Sequence, residues 1–261
     1  MLVDSHCHID FPELADKLDS VFQLMRENDV ARALCVSVTL EDFPRVRKLA
    51  ETYPHVHASV GVHPDYEGVA AVSVAELIAL ADNPRIVAIG ETGLDYYRLK
   101  GDLEWQRERF RTHIRAAREC GKPLIIHTRE AADDTLRIMR EEGAEKAGGV
   151  MHCFTESMDV AKAAMDLGFY ISFSGIVTFK NAKTIKEVAR LVPMENLLVE
   201  TDSPYLAPVP YRGRTNQPGY VKHVAEEVAK LKGSTFDEVC GQTTLNFFKL
   251  FNIVNDTPNV N

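Results

Sequence analysis

The sequence predicts an α/β protein that folds as one (β/α)8 TIM barrel over residues 1–261. Eight short apolar segments alternate with amphipathic segments at roughly 30-residue intervals, which is the pattern of parallel strands joined by helical crossovers. A length of 261 residues is normal for a single barrel of this kind. The main alternative is an open doubly wound sheet, but no GxGxxG turn follows the first apolar segment.

The predicted strands are short and rich in apolar residues, and they lie at 2–8, 31–38, 55–63, 85–93, 122–128, 148–154, 169–175 and 196–202. Strands that alternate with helices pair in parallel, so their carboxyl-terminal ends should meet at one end of the barrel. Side chains at those ends are therefore the candidates for a functional site.

The segments between the strands carry helical patterns. Segment 102–120 is the longest, with apolar side chains near helical spacing. Segment 157–168 begins at a capping serine and ends at a glycine. Segment 234–251 is expected to form a terminal helix that closes the barrel, and the polar tail 255–261 is expected to be frayed.

Composition and charge exclude some classes of protein. The net charge of −8 argues against a nonspecific coat for duplex DNA, which should be basic, although local or metal-borne positive charge could still serve a nucleic-acid enzyme. Five cysteines, an odd number without a CxxC pair, favour a reducing compartment. Neither a secretory signal nor an apolar run of about 20 residues is evident. We therefore expect a cytoplasmic protein with no membrane association and no obligate protein partner.

Six side chains that can bind metal ions fall at predicted strand ends, namely His6, His8, Glu91, His127, His152 and Asp202. His6 and His8 are two residues apart, so both should point to the same face of the first strand and into the barrel mouth. Imidazoles and carboxylates are common ligands of divalent metals. Six donors exceed the needs of one ion, and a carboxylate can bridge two, so the set predicts a pair of ions.

Each of these residues has a simpler interpretation when taken alone. A short HxH motif, a histidine bonded to backbone, a salt-bridged Glu91 or a turn-forming Asp202 would be ordinary. Taken together, four imidazoles and two carboxylates in one barrel mouth would be poorly compensated without a cation. The joint pattern therefore favours a metal site.

Longer motifs carry a family resemblance. DSHCHID, GVHP, GETGLDYY, PLIIHTREA, MHCFT, YISFSGIVTFKNA and LLVETDSPYLAP follow one another in this order. From about Leu2 to Phe251 they resemble the TatD family of metal-dependent hydrolases and deoxyribonucleases, and within it the bacterial YcfH-type members. The resemblance implies an amidohydrolase-like TIM barrel with two divalent ions (Mg²⁺, Mn²⁺ or Zn²⁺). By motif position, the first ion would be held by His6, His8, Glu91 and Asp202, and the second by Glu91, His127 and His152.

The resemblance also implies a reaction, because some family members are 3′–5′ exonucleases that act on single-stranded DNA. We expect a metal-bound hydroxide to attack a phosphodiester, with Asp202 as general base and Glu91 bridging the ions. Asp95 is expected to contact a ligand histidine. Cys7 and Cys153 adjoin predicted ligands, but strand alternation should turn both away from the mouth.

Protein cations should orient a nucleic-acid substrate. His63, at the end of the third predicted strand, and Arg129, two residues after a predicted ligand, are candidates for contacts with the phosphate. Arg212 and Arg214 lie beside Tyr211 in the loop 210–218, and an aromatic ring next to arginines suits a single-stranded nucleotide.

Two other functions stay open. A binuclear barrel of this type could hydrolyse another ester or amide bond, for example an aminoacyl-tRNA ester. Related barrels bridge their ions with a carboxylated lysine, but Lys122 opens the fifth predicted strand and lies too early to reach the mouth. A barrel that only binds ligands would need a degraded site, and the intact six-residue set argues against it.

Overall fold

The protein is described by a computed structural model that covers residues 1–97 and 99–253. Within these ranges, eight strands form one parallel sheet in sequence order: β1 (Leu2–Cys7), β2 (Val30–Cys35), β3 (Val56–Val60), β4 (Ile86–Asp95), β5 (Leu124–Arg129), β6 (Gly149–Met151), β7 (Phe169–Phe173) and β8 (Leu197–Val199). Each strand overlaps a predicted one, which confirms the barrel prediction. The tail expected to fray, 255–261, lies outside the described residues.

The first and last strands close the sheet into a ring. Cys7 pairs with Ser203 in a parallel bridge, and the backbone N–H of Asp202 donates to the carbonyl of His6 at 3.0 Å. Because all eight strands run in the same direction, their carboxyl-terminal ends surround one opening, which we call the mouth. Their amino-terminal ends surround the opposite end, which we call the floor.

Helices connect the strands around the outside of the ring. Those of the described ranges are α1 (Pro12–Ala15), α2 (Leu18–Glu27), α3 (Phe43–Thr52), α4 (Val74–Ala81), α5 (Glu104–Cys120), α6 (Ala132–Glu141), α7 (Met158–Asp166), α8 (Lys183–Leu191), α9 (Val221–Lys232) and α10 (Phe236–Leu250), with 3-10 turns at Ala144–Lys146, Gly175–Thr178, Met194–Asn196 and Pro218–Tyr220. The capping serine predicted for α7 is confirmed, because Ser157 Oγ accepts from the N–H of Val160 at 3.4 Å. No helix in the described ranges is both long and apolar enough to span a bilayer.

Two apolar layers hold the barrel together. The larger lies between the strands and the surrounding helices and contains Phe110, Phe169 and Phe173. The smaller fills the ring near the floor, where Phe247 of α10 packs with inward-facing residues such as Leu34. The last helix therefore closes the floor as the sequence predicts, and the barrel is a packed core rather than a pore.

Strands β6 and β8 are shorter than predicted, and both end at the mouth. The residues that follow them depart from extended backbone, with φ of +42° at Cys153 and +55° at Asp202. A left-handed residue breaks the alternation of a strand, so its neighbours can turn toward the ring axis. Such conformations often occur at functional sites because the surrounding structure must hold them.

Candidate metal centre

All six predicted metal ligands meet at the mouth, with Glu91 in the middle. Its Oε2 lies 3.3 Å from His6 Nε2 and 3.9 Å from His8 Nε2. Its Oε1 lies 2.7 Å from His152 Nε2 and 3.1 Å from His127 Nδ1. The two oxygens of one buried carboxylate therefore face two different pairs of imidazoles.

Asp202 lies nearest to the first of these pairs, although a ring nitrogen of His152 is also within 4.8 Å of its carboxylate. Its Oδ1 lies 3.7 Å from His6 Nε2 and 3.5 Å from His8 Nε2. His6 and His8 also approach each other, with 3.2 Å between their Nε2 atoms, as expected for side chains two residues apart on a strand. One side of Glu91 thus has two imidazoles and a second carboxylate, and the other side has the two candidate ligand imidazoles together with the ring of His63.

Each of three histidines has its outward nitrogen bonded to an acceptor. His8 Nδ1 lies 2.9 Å from the carbonyl of Val36, His127 Nε2 3.0 Å from Asp95 Oδ2, and His152 Nδ1 3.1 Å from Glu200 Oε1. With a metal ion in place of the inner proton, the outer nitrogen would keep its proton for this acceptor and the inner nitrogen would present its lone pair to the centre. This arrangement is typical of histidines that bind metal, and it confirms the predicted contact between Asp95 and a candidate ligand.

His63 has the opposite arrangement. Its Nδ1 accepts from the backbone N–H of Asp65 at 3.1 Å, so Nε2 carries the proton and lies 3.3 Å from Glu91 Oε1. His63 therefore presents a ring N–H rather than a lone pair to the centre, although it lies as close to Glu91 as the candidate ligands do.

The carboxylates stabilise positive charge in the mouth. Burial would raise the pKa of Glu91, but the nearby charges of His152, His63 and His6 hold that pKa well below its ordinary value. Burial would lower the pKa of His8, but the hydrogen bond and charge of Asp202 raise it to about 8. Imidazole nitrogens and carboxylate oxygens grouped in this way fit divalent ions of the zinc or manganese type. Such ions would compete with the protons on these histidines.

Two glycines allow β4 to place Glu91 against its neighbours. A side chain at Gly93 would put its Cβ 1.9 Å from the carbonyl oxygen of His127, and one at Gly90 would lie 2.6 Å from the carbonyl oxygen of Ile125. Both glycines also have positive φ, at 138° and 143°. The close approach of β4 and β5 at the mouth therefore requires glycine at both positions.

A cavity of about 790 Å³ opens directly over the centre. Its wall includes Glu91 and Asp202 together with His63 and Arg129, two of the four residues predicted to contact substrate. The guanidinium of Arg129 stacks on Tyr97, with Cζ 3.7 Å from the ring centroid. The volume is that of a small-molecule or nucleotide site.

The other two predicted substrate contacts lie outside the described cavity wall. Arg212 stacks over Phe179 at 3.7 Å and donates to the carbonyl of Ala207 at 3.3 Å. Arg214 lies 5.9 Å over the ring of Tyr211 and is exposed. Any contact they make with a substrate would be with a part that extends beyond the cavity.

The site contains two residues that the sequence did not predict there, Glu200 and Cys153. Glu200 is fully buried, and its Oε1 also accepts from the backbone N–H of Cys153 at 2.8 Å. Its position two residues before Asp202 was a usable signal, because the same i, i+2 rule places His6 and His8 together. Cys153 was expected to face away, but its left-handed backbone places it in the cavity wall, whereas Cys7 is buried as expected.

Lys122 lies at the other end of the barrel, as its early position in the fifth predicted strand indicates. Its Nζ donates to the carbonyls of Ala81, Asn83 and Ile86, which precede or begin β4 at the floor. Lys122 is therefore placed where it cannot bridge ions at the mouth.

Comparison with known proteins identifies the family. The family model described as TatD related DNase matches residues 3–252. The chain belongs to the TatD family of metal-dependent hydrolases. It is 49% identical to the uncharacterized metal-dependent hydrolase YcfH of Escherichia coli K12, over 97% of this chain and 96% of the relative.

Two further relatives extend the comparison. The chain is 32% identical to a Salmonella typhimurium protein named 3′–5′ ssDNA/RNA exonuclease TatD, over 90% of this chain and 96% of that protein. The crystal structure of YJJV, a TatD homolog from Escherichia coli K12, superposes with a TM-score of 0.89 at 30% identity, covering 97% of this chain and 98% of the other. The family resemblance inferred from the motifs is confirmed.

Proposed function

We propose that the protein is a divalent-metal-dependent phosphodiesterase that releases nucleotides from the 3′ ends of single-stranded DNA. The proposal rests on the position of the Glu91 carboxylate, whose two oxygens face separate groups of imidazoles. Such a carboxylate suits two ions held side by side, an arrangement used for in-line displacement at phosphorus. The name of the Salmonella relative supports a single-stranded nucleic acid as the substrate.

The donors divide naturally between two ions, which could be Mg²⁺, Mn²⁺ or Zn²⁺. One group would consist of His6, His8, Glu91 and Asp202, and the other of Glu91, His127 and His152. Bound ions of this kind supply Lewis acidity and lower the pKa of water. Glu200 and Asp95 contribute by fixing the tautomer of His152 and of His127.

Asp202 is our candidate general base. Its side chain is 17% exposed, compared with 3% for Glu91 and 1% each for Asp95 and Glu200. Of these four carboxylates, it is therefore the one that water in the cavity can reach best. Its carboxylate oxygen would accept the proton of the attacking water.

His63 and Arg129 are placed to hold the phosphate. His63 presents a ring N–H beside Glu91, and Arg129 contributes a fixed positive charge from the end of β5. Stacking on Tyr97 restricts the guanidinium of Arg129, so less conformational freedom is lost on binding. Arg212 and Arg214 would contact more distant phosphates of a longer strand.

The test is a digest by protein that has been freed of metal and reloaded with each of the three ions. A single-stranded DNA oligonucleotide labelled at both ends should be shortened from its 3′ end, and metal-free protein should be inactive. A duplex and an RNA strand of the same sequence serve as comparisons. Release from the 5′ end, or internal cleavage only, would contradict the proposed polarity.

A parallel panel of carboxylic esters, amides and an aminoacyl-tRNA ester addresses the alternative substrate. The same metal centre could support attack at a carbonyl carbon. Hydrolysis of one of these compounds by the reloaded protein, with all three forms of nucleic acid left intact, would refute the phosphodiesterase proposal while preserving the metal centre.

A further inference from the structure

Three aromatic residues occupy equivalent positions around the mouth. Phe11, Tyr66 and Tyr205 each lie three residues after a residue of the centre, in the segments HIDF, HPDY and DSPY. In each segment the backbone N–H of the aromatic residue donates to the backbone carbonyl of that earlier residue. The distance is 3.1 Å for Phe11, 3.3 Å for Tyr66 and 3.1 Å for Tyr205. Three turns, each closed by the same kind of backbone hydrogen bond, therefore place the three rings beside the centre.

All three rings line the mouth cavity. Phe11 stacks on His8, with ring centroids 4.8 Å apart, and Tyr66 contacts His63 edge-on at 6.2 Å. Tyr205 contacts Phe11 edge-on at 6.2 Å. We call these three rings the aromatic shelf.

The shelf remains open to solvent to a degree that packing does not explain. Tyr66 is 38% exposed and Tyr205 is 53% exposed, although both are large and mostly apolar. Apolar surface exposed in a concave site is typical of a ligand contact. The backbone under Tyr205 is well fixed, because the buried side chain of Asn216 donates to its carbonyl at 2.6 Å.

Arg129 lies across the mouth from part of the shelf. Phe11 and Tyr205 follow β1 and β8, which adjoin each other, and Arg129 ends β5, which pairs with β4. In a ring of eight strands, the β8–β1 and β4–β5 pairs are opposite each other. The centre thus lies between the rings of Phe11 and Tyr205 on one side and the guanidinium of Arg129 on the other, and Tyr66, which follows β3, lies between these two sides.

We infer that the aromatic shelf binds an unpaired nucleobase next to the scissile phosphate, while Arg129 holds the strand on the opposite side. Nucleobases stack on aromatic side chains regardless of sequence, whereas phosphates require positive charge. The inference rests on the proposed function and identifies what selects its substrate. A base within a duplex would have to leave its stack to reach the shelf, so the shelf favours single strands.

The inference can be tested by removing either partner of the stack. Intact single-stranded DNA is compared with a strand that carries an abasic analogue at its 3′-terminal nucleotide, using the wild type and Tyr205→Leu. We expect each change alone to lower kcat/KM about tenfold, and both together to lower it no further than one alone. Tyr205→Phe, which keeps the ring, should restore the wild-type value.

A binding measurement separates the shelf from the chemistry. With 2-aminopurine at the 3′ terminus, stacking quenches the fluorescence of the base, and metal-free protein serves for the titration. We expect quenching by the wild type and by Tyr205→Phe, with a reduced effect for Tyr205→Leu and Tyr66→Leu. Leu245→Ala, an exposed apolar position on α10 at the floor, is the matched control and should behave as the wild type does.

The outcomes are distinguishable. Equal quenching by wild type and Tyr205→Leu, or losses that simply multiply in the abasic comparison, would overturn the shelf. The protein could show quenching that depends on Tyr205 and yet release no nucleotide with any of the three ions. That result would refute the proposed function and leave the shelf as a base-binding site. Absence of quenching by the wild type, in a protein that does release nucleotides when reloaded with metal, would overturn the shelf and leave the proposed function intact.

Discussion

The mouth and the floor of the barrel bury histidines in opposite electrostatic surroundings. At the mouth, His152 lies between Glu91 and Glu200, and their charges outweigh burial and raise its pKa well above the ordinary value. At the floor, His57 faces Arg85 and Arg32, and burial together with these charges lowers its pKa to about 3. Neither ring nitrogen of His57 has a hydrogen-bond partner among the described residues.

The difference shows that a buried histidine does not by itself mark a metal site. The balance between burial and the nearby charges decides whether the pocket favours a cation or a neutral ring. Even at the mouth, burial and the charge of His152 lower the pKa of His6, although Glu91 lies beside it. We therefore expect metal to bind at the mouth and the floor to contribute only to stability.

The largest expected effect comes from removing a candidate ligand. His127→Asn should reduce the metal content of the purified protein and lower turnover on the order of a thousandfold, because one imidazole beside Glu91 is lost. Metal analysis and the oligonucleotide digest measure the two effects. His57→Leu at the floor is the control, and its metal content should equal that of the wild type. Equal loss of metal in both variants would contradict the expectation that metal binds at the mouth and not at the floor.

A second effect concerns the backbone at the mouth. Gly93→Ala would place a methyl group 1.9 Å from the carbonyl oxygen of His127, so β4 and β5 must separate. We expect the free energy of unfolding to fall by about 3 kcal/mol, measured in urea with metal-free protein. Gly241→Ala in α10 meets no atom within 4 Å and should instead raise it by about 0.5 kcal/mol. An unchanged stability for Gly93→Ala would show that the mouth is less tightly packed than we describe.

A third effect is the pH dependence of stability at the floor. The folded-state pKa of His57 is about 3 and its ordinary value is 6.5, so the unfolded chain binds this proton first as the pH falls. The contribution of His57 is complete above pH 6.5 and is lost progressively below it, by about 2 kcal/mol at pH 5. His57→Leu should therefore lose less stability than the wild type between pH 7 and pH 5, in urea unfolding of metal-free protein. Parallel curves for the two proteins would argue that His57 is protonated in the folded state.

The smallest of these effects tests the carboxylate behind His152. Glu200→Gln keeps the size of the side chain but removes the charge that faces His152 Nδ1. We expect metal affinity to weaken about tenfold, with little change in the urea midpoint of the metal-free protein. Calorimetric titration with Zn²⁺ measures the affinity. If affinity is unchanged while stability falls, Glu200 serves only to hold the backbone of Cys153.

The order of elements and the six candidate ligands were within reach of the sequence because both follow from local pattern. Hydrophobic runs mark the strands, and parallel pairing brings their ends together whatever the details of packing. His6 and His8 needed only the two-residue period of a strand. The same rule applied to Glu200 and Asp202 would have found the missing carboxylate.

The features that escaped prediction depend on departures from regular backbone. Cys153 enters the cavity because its φ is positive, and nothing in MHCFT indicates a left-handed residue. The proton position on His63 depends on a contact with the N–H of Asp65, which only the folded turn provides. The shelf became recognisable once the turns that carry it were known.

The central claim is that Glu91 lies between two ions at the mouth, and anomalous diffraction from crystals of the Mn²⁺-loaded protein tests it most directly. We predict two peaks on either side of the Glu91 carboxylate, one beside His6, His8 and Asp202 and the other beside His127 and His152. A single peak away from Glu91, or no peak at the mouth at saturating metal, would contradict the account.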